Sequence, residues 1–145
     1  MKKSLIIASI GLTIMFCSCK KIKKLIVPTP LISKSIDLSL CKNISYTAPV
    51  YNNASATVRV IITKIKGKTR QIVWQHNYGP KQLKQFASFK KPWSQKIIIR
   101  NVNDKKETLE VSYSLVYNIK GTVLNLTSDT LLLKGADNQA IRISV

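Results

Sequence analysis

The stretch Leu109-Glu-Val-Ser-Tyr-Ser-Leu-Val-Tyr-Asn-Ile-Lys120 decides the fold. Leu109, Val111, Tyr113, Leu115, Tyr117 and Ile119 are apolar, while Glu110, Ser112, Ser114, Asn118 and Lys120 between them are polar, with Val116 the one exception. Successive side chains of a strand point to opposite faces, so this period of two predicts a strand with one face buried and one face wet.

Shorter alternations lie on either side of it. They occur at Ile36, Leu38 and Leu40, at Val58, Val60 and Ile62, at Ile72 and Trp74, and at Ile141, Ile143 and Val145. Strands are also expected over 96–102, 122–126 and 130–134, and turn residues separate the runs: Lys66-Gly67-Lys68, Asn103-Asp104-Lys105, Lys120-Gly121 and Gly135-Ala136-Asp137-Asn138. The segment Gly79 to Phe89 breaks the pattern. Pro80 suits the first position of a helix and Leu83, Phe86 and Ala87 share one helical face, so a short crossover helix is expected there. Residues 35–145 then make one domain, most economically an all-β, two-layer antiparallel β-sandwich, immunoglobulin-like or transthyretin-like, with one short helix.

The N-terminus reads as an export signal. Lys2 and Lys3 form a positive start, Leu5 to Phe16 a mostly apolar run of twelve residues, and small Ser18 precedes Cys19. Twelve residues of helix reach only ~18 Å, short of the ~30 Å hydrocarbon core that a spanning helix must cross. Phe16-Cys-Ser-Cys19 resembles the lipobox of bacterial lipoproteins, Cys17 being disfavoured because bulky Phe16 precedes it. The resemblance implies a signal peptide over 1–18, acylation of Cys19 with a diacylglycerol and usually a third acyl chain, and a lipidated basic tether over 19–34 containing Pro28-Thr-Pro30. It also implies the outer membrane, facing the periplasm, since Lys20 stands where an Asp would mark inner-membrane retention. Two or three acyl chains hold a protein firmly on a bilayer, at ~0.8 kcal/mol per buried methylene. Lys20, Lys21, Lys23 and Lys24 either add attraction to anionic headgroups or form a solvated tether.

The chain is strongly basic, with 24 Lys plus Arg against 6 Asp plus Glu and a formal charge of +18; losing Lys2 and Lys3 with the signal leaves +16. The expected partners are therefore the membrane through the anchor, an envelope protein with an acidic face, or anionic lipid, each held less tightly as salt rises. Nucleic acid is not expected for an exported, tethered chain. Cleavage discards Cys17 and lipidation consumes Cys19, so Cys41 alone remains and is expected to pack as a small apolar residue.

No residue pattern argues for catalysis or for a cofactor. His76 is the only histidine, too few for a His-based zinc site, and no metal site is expected. It reads as a strand-end residue. Ser39-Leu-Cys-Lys42 matches the Ser-x-x-Lys of penicillin-binding enzymes, but that pair needs a helix to put both groups on one face, and this segment alternates as a strand. The six acids are sparse and fall in turns or on polar strand faces, and mark no acid-base pair. The run from Lys81 to Trp93 is the candidate partner-binding surface: Lys81, Lys84, Lys90, Lys91 and Trp93 interleave cations with the aromatics Phe86 and Phe89. The alternative is that Leu83, Phe86 and Phe89 cap the core while the lysines are merely solvated.

The order of a lipidated cysteine, a tether, Ser35-Ile-Asp-Leu-Ser-Leu40, Thr57-Val-Arg-Val-Ile-Ile-Thr-Lys-Ile65 and Lys81-Gln-Leu-Lys-Gln-Phe-Ala-Ser-Phe89 resembles the outer-membrane lipoprotein of the type VI secretion membrane complex. The resemblance implies a transthyretin-like sandwich that binds the periplasmic domain of an inner-membrane subunit. The functional expectation is a non-enzymatic scaffold or protein-binding subunit of the envelope; the alternative is a module for anionic glycolipid or headgroups. An enzyme, or an inhibitor of lysozyme, fits less well, because lysozyme is itself basic.

Overall fold

A computed structural model describes residues 30–127, 131–133 and 137–145. The signal, Cys19, most of the tether and parts of the 130–134 strand and 135–138 turn expectations fall outside these residues. Eight strands are described: β1 Ile32–Cys41, β2 Ser55–Lys66, β3 Thr69–Gln82, β4 Trp93–Val102, β5 Thr108–Ile119, β6 Thr122–Thr127, β7 Leu131–Leu133 and β8 Asn138–Ser144. They form a three-stranded sheet in the order β4-β1-β8 and a five-stranded sheet in the order β3-β2-β5-β6, with β7 also paired to β5. The two sheets pack together as an all-β sandwich.

The period of two explains the packing. Ile36, Leu38 and Leu40 of β1, Val58, Val60 and Ile62 of β2, and Leu109, Val111 and Leu115 of β5 all point inward and are buried in one core cluster. Ile97 and Ile99 of β4 and Ile141 and Ile143 of β8 complete it from the three-stranded side. Cys41 is wholly buried in this interior as a small side chain, its Sγ 3.9 Å from the Ile143 carbonyl.

Two expectations are corrected. The sandwich is not antiparallel throughout, because β8 returns beside β1 in parallel, Ser35 opposite Asn138 through Cys41 opposite Ser144. The crossover helix is also absent from Gly79 to Phe89. Instead β3 continues to Gln82 and ends in a single 3-10 turn, Leu83–Gln85. Its backbone is committed to β2: Lys81 lies opposite Ala56 and Gln82 opposite Ser55, and the Leu83 N–H donates to the Ala54 carbonyl at 3.0 Å. Cross-strand pairing thus outweighs the weak helical spacing of three apolar residues.

Candidate functional site: an aromatic groove between the sheets

On β3 the side chains of Trp74, His76 and Tyr78 occupy alternate positions opposite Ile62, Val60 and Val58 of β2. Directly paired residues share a face, and the three β2 residues are fully buried, so the aromatic row lies on the inward face of its sheet. As β3 is an end strand, the narrower sheet does not cover it, and the row remains half-buried or exposed. The rings touch in sequence: Trp74 and His76 stack at 6.1 Å, His76 and Tyr78 are tilted at 4.4 Å, and Tyr78 meets Trp93 edge-on at 5.0 Å. Contacts of this kind suit the quadrupoles of aromatic rings.

Trp93 belongs to the opposite sheet, at the start of β4, where it pairs with Leu40 of β1. Two residues on, Gln95 accepts a hydrogen bond from the Tyr78 hydroxyl at 2.7 Å, joining the two sheets at their open edge. Burial pushes the Tyr78 phenol up to about 12, so it stays protonated and remains a donor at neutral pH. A groove of about 480 Å³ opens between β3 and β4, lined also by Leu40, Lys81, Phe86 and Ala87. The Lys81 ammonium lies 5.6 Å from the centre of the Phe86 ring, within reach of a cation-π contact.

Gly79 shapes this wall. Its φ of +117° is one that residues with a side chain rarely adopt, and a Cβ there would sit 2.6 Å from the Ala56 carbonyl oxygen. A glycine here lets β3 press against β2 before Pro80 and Lys81 carry the chain to the 3-10 turn. That turn sends Leu83 and Phe86 into the core, whereas Phe89 is exposed with Arg142 over its ring at 4.7 Å.

Of the expected surface residues, the groove gathers Lys81 and Trp93 and leaves the others elsewhere. Lys84 is exposed, its carbonyl accepting from the Lys42 ammonium at 2.7 Å. Lys90 borders a second, shallower depression of about 290 Å³ with Phe89 and Ile44. Lys91 is exposed beside Ser88, to which its backbone N–H donates. The two expected uses of this segment are thus divided: Leu83 and Phe86 cap the core, and Trp93, 43% exposed, faces the groove. His76 is not at a strand end but in the middle of the aromatic row. His76, Tyr78 and Gln95 were not among the candidate residues; the alternation in Trp74-Gln-His-Asn-Tyr78 is the sequence signal that finds the first two.

Three acids form ion pairs with cations at one end of the sandwich, while Asp37, midway along β1, accepts from the Asn138 amide at 3.1 Å. Asp104 pairs with the buried Lys34 at 2.5 Å, Glu107 with Lys64 at 3.7 Å, and Glu110 with Arg70. Lys34 and Leu40 are six residues apart on β1, so these ion pairs lie roughly 20 Å from Leu40 at the groove, at ~3.3 Å per residue. Among the described residues lining the groove there is no acid, and no Ser, Thr or Cys to serve as a nucleophile. Ser39 lies against Ser94 at 3.5 Å while the Lys42 ammonium is bound to the Lys84 carbonyl, so the Ser-x-x-Lys pair is not assembled. Among the described residues no three His, Cys, Asp or Glu side chains group to hold a metal, and no helix is long and apolar enough to cross a membrane.

No protein family matches the chain, and no curated protein or solved structure is significantly similar to it.

Proposed function

We propose that the protein is a non-enzymatic envelope lipoprotein, anchored through Cys19 to the outer membrane on its periplasmic side, whose sandwich docks an acidic partner protein in the β3-β4 groove. The observation that carries this reading is the row Trp74, His76, Tyr78 and Trp93 beside Lys81, with no acid among the groove's described lining residues. Aromatic anchors beside a cation suit binding to an acidic face: the rings supply desolvated contact area and the charge of Lys81 sets orientation and association rate. A subunit of a secretion-system membrane complex is the setting that the order of elements suggests. The second reading, a module for anionic glycolipid or headgroups, draws on the same charge and the same groove.

Affinity capture of the full-length protein from an envelope extract of the cells that make it tests the proposal. An acidic protein should be retained, and Trp93→Ala or Lys81→Glu should lose it while Lys105→Glu keeps it. Cys19→Ala should move the protein from the membrane to the soluble fraction. Retention that ignores Trp93 and Lys81 removes the groove from the reading. Salt-sensitive binding of unlipidated Cys19→Ala protein to anionic vesicles, with no protein captured, replaces the first reading by the second.

A further inference from the structure

Four strands form the sheet ends β3, β4, β8 and β6, and three of them carry devices that deter pairing with another chain. Strand β3 has Arg70, Pro80 and Lys81 and two register shifts against β2. Strand β4 has Lys96 and Arg100, and β8 has Arg142. Strand β6, Thr122-Val-Leu-Asn-Leu-Thr127, has none of these: it is uncharged in a chain of formal charge +18, contains no proline, and pairs with β5 in unbroken register. Its Val123, Leu124 and Leu126 are 56%, 50% and 55% exposed. β7, on the same flank, is only three residues long.

We propose that β6 is a self-association edge, pairing antiparallel with β6 of a second copy about a two-fold axis at Asn125. The occupant follows from charge and from the pleat. Two copies of so basic a molecule repel wherever lysines meet, and the uncharged edge is where they approach without that cost; an acidic partner finds no cation on β6 to recognise. In a two-fold antiparallel pair, residues sharing a rung must also share a face, so one residue must face its own copy at the axis. Placing Asn125 there sets Leu124 opposite Leu126 of the second copy, apolar against apolar, Asn125 opposite Asn125, amide against amide, and Val123 opposite the uncharged Thr127. Leu124 and Leu126 lie opposite Tyr117 and Leu115 of β5, on the inward face of the wide sheet, so pairing brings four leucines together there. The result is one continuous sheet through both copies, joined by backbone hydrogen bonds along the side of β6 that no other described strand pairs.

Sedimentation velocity of the full-length protein in mild detergent should give a protein mass twice that of one chain. Asn125→Lys places like charges face to face at the axis and should raise the dimer dissociation constant about tenfold or more, with circular dichroism unchanged. Asn125→Cys provides an independent reading: opposed residues of an antiparallel pair lie ~4.5 to 5.5 Å apart at Cα, within the range a disulfide spans. Oxidation should therefore cross-link Asn125→Cys between copies and leave Ile98→Cys, on the exposed face of β4, uncross-linked. A monomer at every concentration, a dimer indifferent to Asn125→Lys, or equal cross-linking at the two sites overturns the proposal.

Discussion

Replacing Gly79 by alanine should be the most damaging single-methyl change in the groove, and its size follows from two separable causes. The first is conformational: a φ of +117° lies beyond the small left-handed region that ordinary residues tolerate. Holding a side-chain-bearing residue there costs about 1 to 3 kcal/mol. The second is steric, because the new Cβ would lie 2.6 Å from the Ala56 carbonyl oxygen and 3.0 Å from the Lys81 nitrogen. Both are backbone atoms, and Ala56 is only 1% exposed in a central strand, so neither can swing away as a flexible side chain would. Forcing a methyl group into such a site costs about 1 to 3 kcal/mol more. Together these predict a loss of roughly 2 to 6 kcal/mol, a large share of the roughly 5 to 15 kcal/mol that stabilises a typical domain. Gly67 is the control. It also has positive φ, +57°, but a Cβ there meets nothing within 4 Å, so Gly67→Ala bears only the conformational cost of about 1 to 2 kcal/mol. Urea denaturation followed by tryptophan fluorescence suits the comparison, because the two tryptophans, Trp74 and Trp93, both lie in the aromatic row and report on this wall. If Gly79→Ala unfolds at the same urea concentration as Gly67→Ala, the close approach of β3 to Ala56 does not constrain the fold and the reasoning fails.

Two further perturbations bear on the rest of the molecule. Asp104→Asn removes the carboxylate 2.5 Å from the Lys34 ammonium, whose side chain is 4% exposed; because Asp104 itself is 43% exposed, a loss of about 1 to 2 kcal/mol is expected in the same denaturation assay. Alkaline pH should also weaken the fold. Burial pushes both Tyr46 and Tyr78 up to about 12 from an ordinary 10.0, with Tyr117 and Tyr51 adding to the rise at Tyr46. Between those values the unfolded chain releases protons that the folded chain retains, so stability is intact below pH 10 and declines as pH rises towards about 12. Denaturation midpoints measured across that range should fall less steeply for Tyr78→Phe than for the wild type.

The sandwich was legible because each central strand alternates apolar with polar residues, as the Leu109 to Ile119 run does, although Glu110 on the other face of β5 is buried as well. The segment after Gly79 was not, since Pro80, Leu83 and Phe86 fit a helix start as well as they fit a strand that ends in a 3-10 turn. What decides between them is the hydrogen bonding of residues 81–83 to residues 54–56, a contact distant in sequence. The parallel return of β8 beside β1 was hidden for the same reason: alternation gives a strand its faces and leaves its direction open. At the groove, Lys81 and Trp93 were found by their position in a basic, aromatic run. His76, as the only histidine, has no partners for a zinc site and so reads as a strand-end residue, and Tyr78 lies beyond the Ile72 and Trp74 alternation that marks this strand. Gln95 has no local signature at all; its role is set by the hydroxyl of a tyrosine on the other sheet.

Inward but uncovered residues arise here from one mismatch, a three-stranded layer over a five-stranded one. The narrow sheet seals the middle of the wide one, where the inward side chains of β2 and much of β5 are buried. It does not cover either flank. On the β3 side the chain fills the overhang with rings and closes the gap through the Tyr78-Gln95 hydrogen bond, and the incomplete closure is the groove. On the β6 side it places Leu124 and Leu126, half-exposed although they face inward. Aliphatic side chains lack the polar edge that lets Tyr, Trp or His rest against water, so the two flanks differ in kind. One suits a partner that brings apolar contact area to the rings and negative charge to Lys81, and the other suits a surface as apolar as itself. The two sites also lie at opposite ends of the wide sheet's strand order, so dimerisation at β6 leaves β3 free, and a dimer would present two grooves to its partner at once. The effective concentration of the second contact then strengthens attachment without any new interaction in either groove. Asn125→Lys should therefore weaken capture of an acidic partner even though it leaves every groove residue in place.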